Sequence, residues 1–300
     1  MRDIQAEWMA AMRCGDWDRA WAVNDVVLAG CHPAERDDPR LPYHLRWVWD
    51  GRPFDGRDVL VRCYHGLGDT LQFARYLAPL RTRAAFVTVE AQPALVPLLQ
   101  DIPGVDRIVP FSLAAPLPPA ACDIEIMELP HALRLPPEAV PPPPLRVAAA
   151  PGLANTTGLC WAGGDWDAAR AIPPSLLHPL CRARRVMSLR IGKTDLPVIN
   201  PDGCEVAIED TASLIAGLGL VITIDSMVAH LAGTLGRPTW VLLKHDADWR
   251  WMAGRSDSPW YPTVRLFRQV RPAAWGPVLA AVLAAVAERD AAHPGLRAAG

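Results

Sequence analysis

The chain has 300 residues, 51% hydrophobic and 21% charged, and its 30 Lys and Arg against 32 Asp and Glu leave a net charge of only −2. That is the balance of a globular protein with a packed core, long enough for two α/β halves where an average domain takes ~100–200 residues. It excludes a disordered or fibrous chain, and without a broad basic field neither nucleic acid nor an anionic membrane is an expected partner.

In chain order, residues 6–29 carry Trp8, Met9, Met12, Trp17, Trp21 and Val23 at helical spacing, with a break at Gly15-Asp16. The pattern predicts a short antiparallel helix pair. Pro33, Pro39 and Pro42, the aromatic stretch 43–49 and a turn at 50–53 follow as a connector ending in one extended segment. Residues 1–50 therefore read as a helical appendage and connector. From Asp58 the pattern changes to short β-rich runs at 59–63, 85–89, 108–109 and 123–127, alternating with helical segments. Such alternation predicts a parallel sheet with flanking helices, and residues 51–135 are assigned to a first Rossmann-like domain.

Proline then crowds the chain at 130, 136, 137, 141–144 and 151, poor material for a helix or a central strand, so 136–157 reads as a linker. A second alternating series has candidate strands at 158–162, 186–190, 205–208, 220–224, 239–243 and 264–267, giving a second Rossmann-like domain over 158–272. The Ala-rich run 273–288 predicts a closing helix within a terminal segment, 273–300. The longest apolar stretches, 212–224 and 278–286, fall short of the ~20 residues that cross a bilayer, so no transmembrane segment is expected. Residues 1–10 hold no apolar run before a small-residue cleavage site, and the expected location is cytoplasmic. Seven cysteines, with no CxxC pair and no His at zinc-ligand spacing, read as reduced thiols.

Two strand-to-helix turns carry the chemistry. In the first, the run 59–63 leads into His65-Gly66-Leu67-Gly68-Asp69 and a helix over 70–80. Gly66 and Gly68 would permit positive φ and close approach of a ligand to the backbone. The full GxGxxG fingerprint is absent, which disfavours a nicotinamide enzyme. Asp69 has two compatible readings, a helix N-cap and a general base for an acceptor hydroxyl. Asparagine caps about as well but takes no proton, so Asp69→Asn is expected to spare stability and lose the chemistry.

In the second turn, the buried-strand pattern 220–224 runs into Asp225-Ser226-Met227-Val228-Ala229-His230. Unpaired N–H groups at Ser226, Met227 and Val228, on the positive end of a helix, would suit a diphosphate without a metal. His230, one turn in, either reaches a phosphate or bonds inside the core, and Asp225 either helps bind or caps the helix. Arg170 and Lys193 either balance diphosphate charge or are ordinary surface cations. The aromatic cluster of Trp249-Arg250-Trp251 with Trp260-Tyr261 can stack on a base or sugar, or simply pack. The metal-type spelling DxD occurs at 16–18, 165–167 and 246–248, and three copies of so short a pattern argue for chance.

Taken together, residues 66–76 and 225–233 resemble the glycosyltransferase family 9, or ADP-heptose:lipopolysaccharide heptosyltransferase, superfamily. Trp161-Ala162-Gly163 and the stretches 248–251 and 258–262 are similar to its bacterial branch often fused to tetratricopeptide repeats, of which the helix pair around Gly15 would be a remnant. The similarity covers roughly residues 45 to 285. It implies a GT-B fold, two Rossmann-like domains facing a central cleft, the first for the acceptor and the second for the nucleotide-sugar. It also implies an inverting, metal-independent mechanism without a cofactor, with Asp69 as catalytic base. The resemblance places diphosphate binding at Ser226, Met227 and Val228 with His230 nearby, and the further donor-binding candidates are Gly66, Gly68, Trp161, Arg170, Lys193 and Asp225. The expected partners are a nucleoside diphosphate sugar, its sugar a heptose or another, and a glycan, lipid-linked or protein acceptor in cell-surface glycan assembly. Two departures stand out: Gly164-Asp165 with Arg170-Ala171 where relatives of that branch have Asn-Pro and Arg-Ser, and Lys244-His245 where they leave the strand through proline. Both leave room for the alternative, a catalytically degenerate module of the same fold that binds nucleotide or a protein partner.

Overall fold

The computed structural model describes residues 3–164, 167–200 and 207–292. The chain divides into two compact units, Met1–Arg146 with Trp249–Ala253, and Val147–Asp248 with Gly254–Gly300.

The first unit opens with α1 (Ile4–Cys14) and α2 (Trp17–Gly30). Asp3 caps α1 through the Ala6 N–H, Gly15 closes it in the left-handed conformation at φ 72°, and Asp16 at once caps α2 through the Arg19 N–H. A left-handed closing residue followed by an Asp cap is what turns one helix back along the other. The connector holds short 3-10 turns, Pro33–Glu35 and Tyr43–Leu45, and Arg46 after the second is extended.

The Rossmann-like part follows as β1 (Asp58–Arg62), α3 (Leu67–Phe73), α4 (Leu77–Arg81), β2 (Phe86–Ala91), α5 (Val96–Leu99), β3 (Arg107–Pro110), β4 (Asp123–Glu125) and α6 (Leu129–Leu133). Among the described residues the four strands are all parallel, in the order β3-β2-β1-β4. The helix expected over 70–80 is broken into α3, a 3-10 turn at Ala74–Tyr76, and α4. At the end of β1, Arg62 is buried and needs partners to remain charged there. It pairs with Asp123 at 2.6 Å and Glu90 at 3.2 Å, tying β1 to both neighbouring strands.

The second unit contains β5 (Thr157–Cys160), α7 (His178–Ala183), β6 (Val186–Ser188), α8 (Ile208–Gly217), β7 (Leu220–Ile224), α9 (Met227–Thr234), β8 (Thr239–Leu243), β9 (Val264–Arg268) and α10 (Trp275–Ala292). Its described strands form one parallel sheet in the order β6-β5-β7-β8-β9. The apolar side chains of β5, β7 and β8 are buried on both faces, as a parallel sheet covered by helices demands. Trp275, Val278, Leu279, Val282, Ala285 and Val286 of α10 pack on the same core as Leu220 and Ile222. Of the strand expected at 205–208, residues 205 and 206 lie outside the described residues, while Ala207 is the N-cap of α8 and Ile208 begins it.

The path of the chain differs from the expected continuous domain over 158–272, because Trp249–Ala253 returns to the first unit. There Trp249 packs edge-on to Trp8 of α1 at 5.4 Å, and the Ala253 N–H donates to the Arg13 carbonyl at 2.9 Å. None of the six described cysteines forms a disulfide. Among the described residues no helix is long and apolar enough to cross a membrane.

Candidate functional site

In the first unit the carboxyl ends of three parallel strands meet under the 66–69 turn, the place where open α/β sheets present their ligands. Each neighbour of β1 supplies a brace. Glu125, the last residue of β4, stands 3.1 Å from His65 Nδ1, and Gln92, just past β2, donates to the His65 carbonyl at 2.8 Å. Thr70 Oγ1 in turn donates to Gln92 Oε1 at 2.9 Å. The Glu125 carboxylate raises the His65 imidazole above its ordinary value, against burial that lowers it. Beneath lies Glu128, whose carboxyl burial pushes up to about 8 even though it accepts the Glu125 N–H at 3.0 Å.

Asp69 is not the N-cap of α3. Gly66 holds that place and Asp69 is the third helical residue, its Oδ2 accepting the Gly66 N–H at 2.9 Å. Gly66 has φ −70° and Gly68 lies within the helix, so neither uses the positive φ the sequence allowed. The other oxygen, Oδ1, accepts from Arg250 Nη2 at 2.6 Å. Arg250 Nε donates to Gln72 Oε1 at 3.1 Å, and its guanidinium stacks on Trp249, 4.5 Å from the ring centroid. Asparagine has one acceptor oxygen where Asp69 uses two, so the expectation that Asp69→Asn spares stability is corrected: one of these bonds must be lost.

In the second unit Ser226 is the N-cap of α9, and its side chain makes no cap hydrogen bond. Its hydroxyl faces Thr223 Oγ1 at 3.1 Å and Cys160 Sγ at 4.0 Å. Asp225, Ser226 and Met227 are half-buried, whereas the Val228 and His230 side chains are in the core, so any contact from Val228 to an outside ligand is through its backbone. His230 Nδ1 shares a 3.1 Å hydrogen bond with the Tyr261 hydroxyl, which matches the core reading of that histidine. Gly233 makes this possible: a Cβ there would stand 2.5–2.9 Å from the Tyr261 ring.

Arg170 is buried and is not a surface cation. It donates from Nη1 to the Asp225 carbonyl at 2.7 Å, from Nη2 to Gly164 O at 3.2 Å and from Nε to Asp167 O at 3.3 Å. Lys244 forms an ion pair with Asp167 at 2.7 Å, in the loop that also accepts from Arg170. Asp167 is desolvated, but the Lys244 hydrogen bond and charge prevail and hold its carboxyl below the usual range.

Trp161 and Lys193 meet elsewhere in this unit, in a pocket of about 480 Å³ that His178, Arg190, Asp195 and Leu196 also line. Trp161 shows almost none of its surface and packs on Ile172 and Leu177, with Arg190 5.8 Å from its ring centroid. Gly163 joins this wall to the second turn, its Cβ position 3.8 Å from Ser226 Cβ. The metal-type spellings have other uses: Asp16 is a helix cap, and Asp167 pairs with Lys244, while Asp165 lies outside the described residues. Among the described residues no group of three or more His, Cys, Asp or Glu is placed to hold a metal ion.

Arg250, Gln72, Glu125 and Glu128 escaped the sequence reading. The Arg between two tryptophans was visible, but nothing local links it to a carboxylate far earlier in the chain.

No family model matches the chain. It is 26% identical over 304 residues to Protein FlbA of Caulobacter vibrioides, covering 85% of this chain and 50% of that protein, so the chain spans about half the length of the curated relative it matches. Among solved structures it resembles the glycosyl transferase family 9 protein of Veillonella parvula at a TM-score of 0.53, with 10% identity over 72% of this chain and 87% of that one. The E. coli ADP-heptose LPS heptosyltransferase II gives 0.52, with 16% identity over 76% of this chain and 99% of that one. E. coli heptosyltransferase WaaC with ADP also gives 0.52, with 12% identity and coverage of 77% and 99%. At these identities the likeness is one of fold.

Proposed function

We propose, from the GT-B fold this chain shares with the family 9 heptosyltransferases, that it is a metal-independent, inverting glycosyltransferase that needs no cofactor. The observation that carries the reading is Asp69, a half-buried carboxylate fixed by Gly66 and Arg250 on a turn braced by three strand ends. A carboxylate so held can take the proton of an acceptor hydroxyl as that oxygen attacks the anomeric carbon. The bond from that carbon to the diphosphate breaks, and its electron pair leaves with the nucleoside diphosphate. The N–H groups at the start of α9, around Ser226, Met227 and Val228, would meet the charge of that leaving group. Arg170 serves this turn by fixing the Asp225 carbonyl, and the pocket lined by Trp161, Arg190 and Lys193 offers cations to the rest of the donor. The solved relatives are named for ADP and heptose, so ADP-heptose is the first donor to try and a cell-surface glycan the first acceptor class.

One observation favours the alternative of a binding module: Asp69 and Arg170 both spend their charged atoms on protein partners. Incubation with ADP-heptose and other nucleoside diphosphate sugars, with and without a chelator, separates the readings. Transfer or donor hydrolysis undiminished by the chelator is expected. Strict dependence on magnesium or manganese would overturn metal independence, and tight binding without turnover of any donor would establish the module.

A further inference from the structure

Arg250 is held more elaborately than an arginine that merely neutralises a carboxylate. Its Nη2 bonds Asp69 and its Nε bonds Gln72, so one rigid fork reads both side chains of the same helix face. Gln72 is fully buried, and its Nε2 has no protein partner among the described residues. The amide is turned to give its oxygen to the guanidinium although its own NH₂ then goes unmet, an arrangement that calls for a reason. The guanidinium also lies on Trp249, and Trp249 is fixed edge-to-face by Trp8 of α1 at an interplanar angle of 73°. Ala253, bonded to the Arg13 carbonyl, and Met252, against Gly15, fasten the rest of the segment to the same helix pair.

We propose that Arg250 is a positioning residue for Asp69, and that the α1–α2 pair serves as the mount that holds Arg250 in place. The proposal rests on the reading of Asp69 as the base. With Oδ2 on the Gly66 N–H and Oδ1 on Arg250, the carboxylate cannot turn about its terminal bond, and its remaining lone pairs keep one direction toward an acceptor hydroxyl. Loss of that alignment slows the chemical step while leaving nucleotide binding in the other unit alone. Lysine keeps the charge but cannot bond Asp69 and Gln72 in one plane.

The test uses the full chain as Arg250→Ala, Arg250→Lys and Trp8→Leu, with kcat, donor KM, ADP affinity and melting temperature measured for each. In Arg250→Ala, kcat is expected to fall by roughly 10²-fold, the cost of a small misplacement of a reacting group. Donor KM and ADP affinity should stay within about twofold of the unaltered chain, since no ground-state contact to the donor is removed. Added guanidinium ion should restore part of kcat in Arg250→Ala and none in the unaltered chain. Arg250→Lys should keep the melting temperature yet remain slow, and Trp8→Leu should lower kcat in the same pattern by a smaller factor. Full kcat in Arg250→Ala overturns the proposal, as does a joint fall of kcat, ADP affinity and melting temperature without guanidinium rescue, the mark of a purely structural role. No turnover by the unaltered chain overturns the transferase reading and this proposal with it, whereas normal turnover with an undiminished Arg250→Ala overturns this proposal alone.

Discussion

The 66–69 and 225–228 turns begin alike, each where a buried parallel strand runs out and a helix starts, yet they are built differently. The first is a side-chain site. Asp69, His65, Glu125, Glu128 and Arg250 crowd it with ionisable groups, and its geometry depends on residues brought from β2, β4 and the 249–253 segment. The second is a backbone site. Its N-cap makes no side-chain cap bond, its histidine is spent on Tyr261, and a buried arginine grips its carbonyl. A carboxylate needs partners to be aimed, whereas helix N–H groups are aimed by the helix itself. The first turn should therefore respond to charge changes and the second to changes of shape.

A fall in stability is expected from overpacking α9, the helix that the second turn starts. Gly233→Ala gains ~1 kcal/mol of helix propensity, but its methyl would stand 2.5–2.9 Å from the ring of Tyr261, which is fully buried. Overpacking costs ~1–3 kcal/mol and here also pulls Tyr261 from His230, so the packing loss should win. The denaturant midpoint should fall. A rise would show that the α9–Tyr261 contact is looser than described.

A pH-dependent effect should sharpen the view of the first turn. Burial holds the Glu128 carboxyl up at about 8, above its ordinary ~4.3 in the unfolded chain. The folded state thus binds that proton more tightly, and this contribution is full below ~4.3 and is lost as pH rises toward about 8. His65, also raised, works in the same direction. Glu128→Gln keeps a neutral amide at this place, so thermal melts from pH 5 to pH 8.5 should show a shallower decline than the unaltered chain. Equal slopes would remove Glu128 as a source of the pH dependence.

Most of the fold was legible because its signals are local. The run 220–224 and the run 239–243 became β7 and β8 with the boundaries the apolar pattern gave, and Gly15-Asp16 marked the break between α1 and α2. The helix expected over 70–80 was broken at Ala74–Tyr76, where no local sequence signal marks a stop. Asp69 itself was legible as a carboxylate on a glycine turn, but not its place one helical turn inward. That place depends on which residue becomes the helix N-cap, and here it is Gly66. Arg250 was invisible as a partner because periodicity reports on neighbours a few residues apart, and its contacts to Asp69 and Gln72 join distant parts of the chain. Arg170 could be read only as a diphosphate partner or a surface cation for the same reason, since its carbonyl partner at Asp225 lies on another strand's end.

The division of labour between the turns is tested most directly by Asp69→Asn, with sugar transfer and ADP affinity measured on the same preparation. Asparagine loses a bond to Gly66 or to Arg250, so a fall in stability of about 1–3 kcal/mol is expected and is read separately from a denaturant curve. At a temperature where the variant is fully folded, transfer should fall by roughly 10²–10⁴-fold, the range of a lost general base, while ADP affinity is unchanged. Normal transfer by the folded variant, or an equal loss of transfer and ADP affinity, would contradict the account.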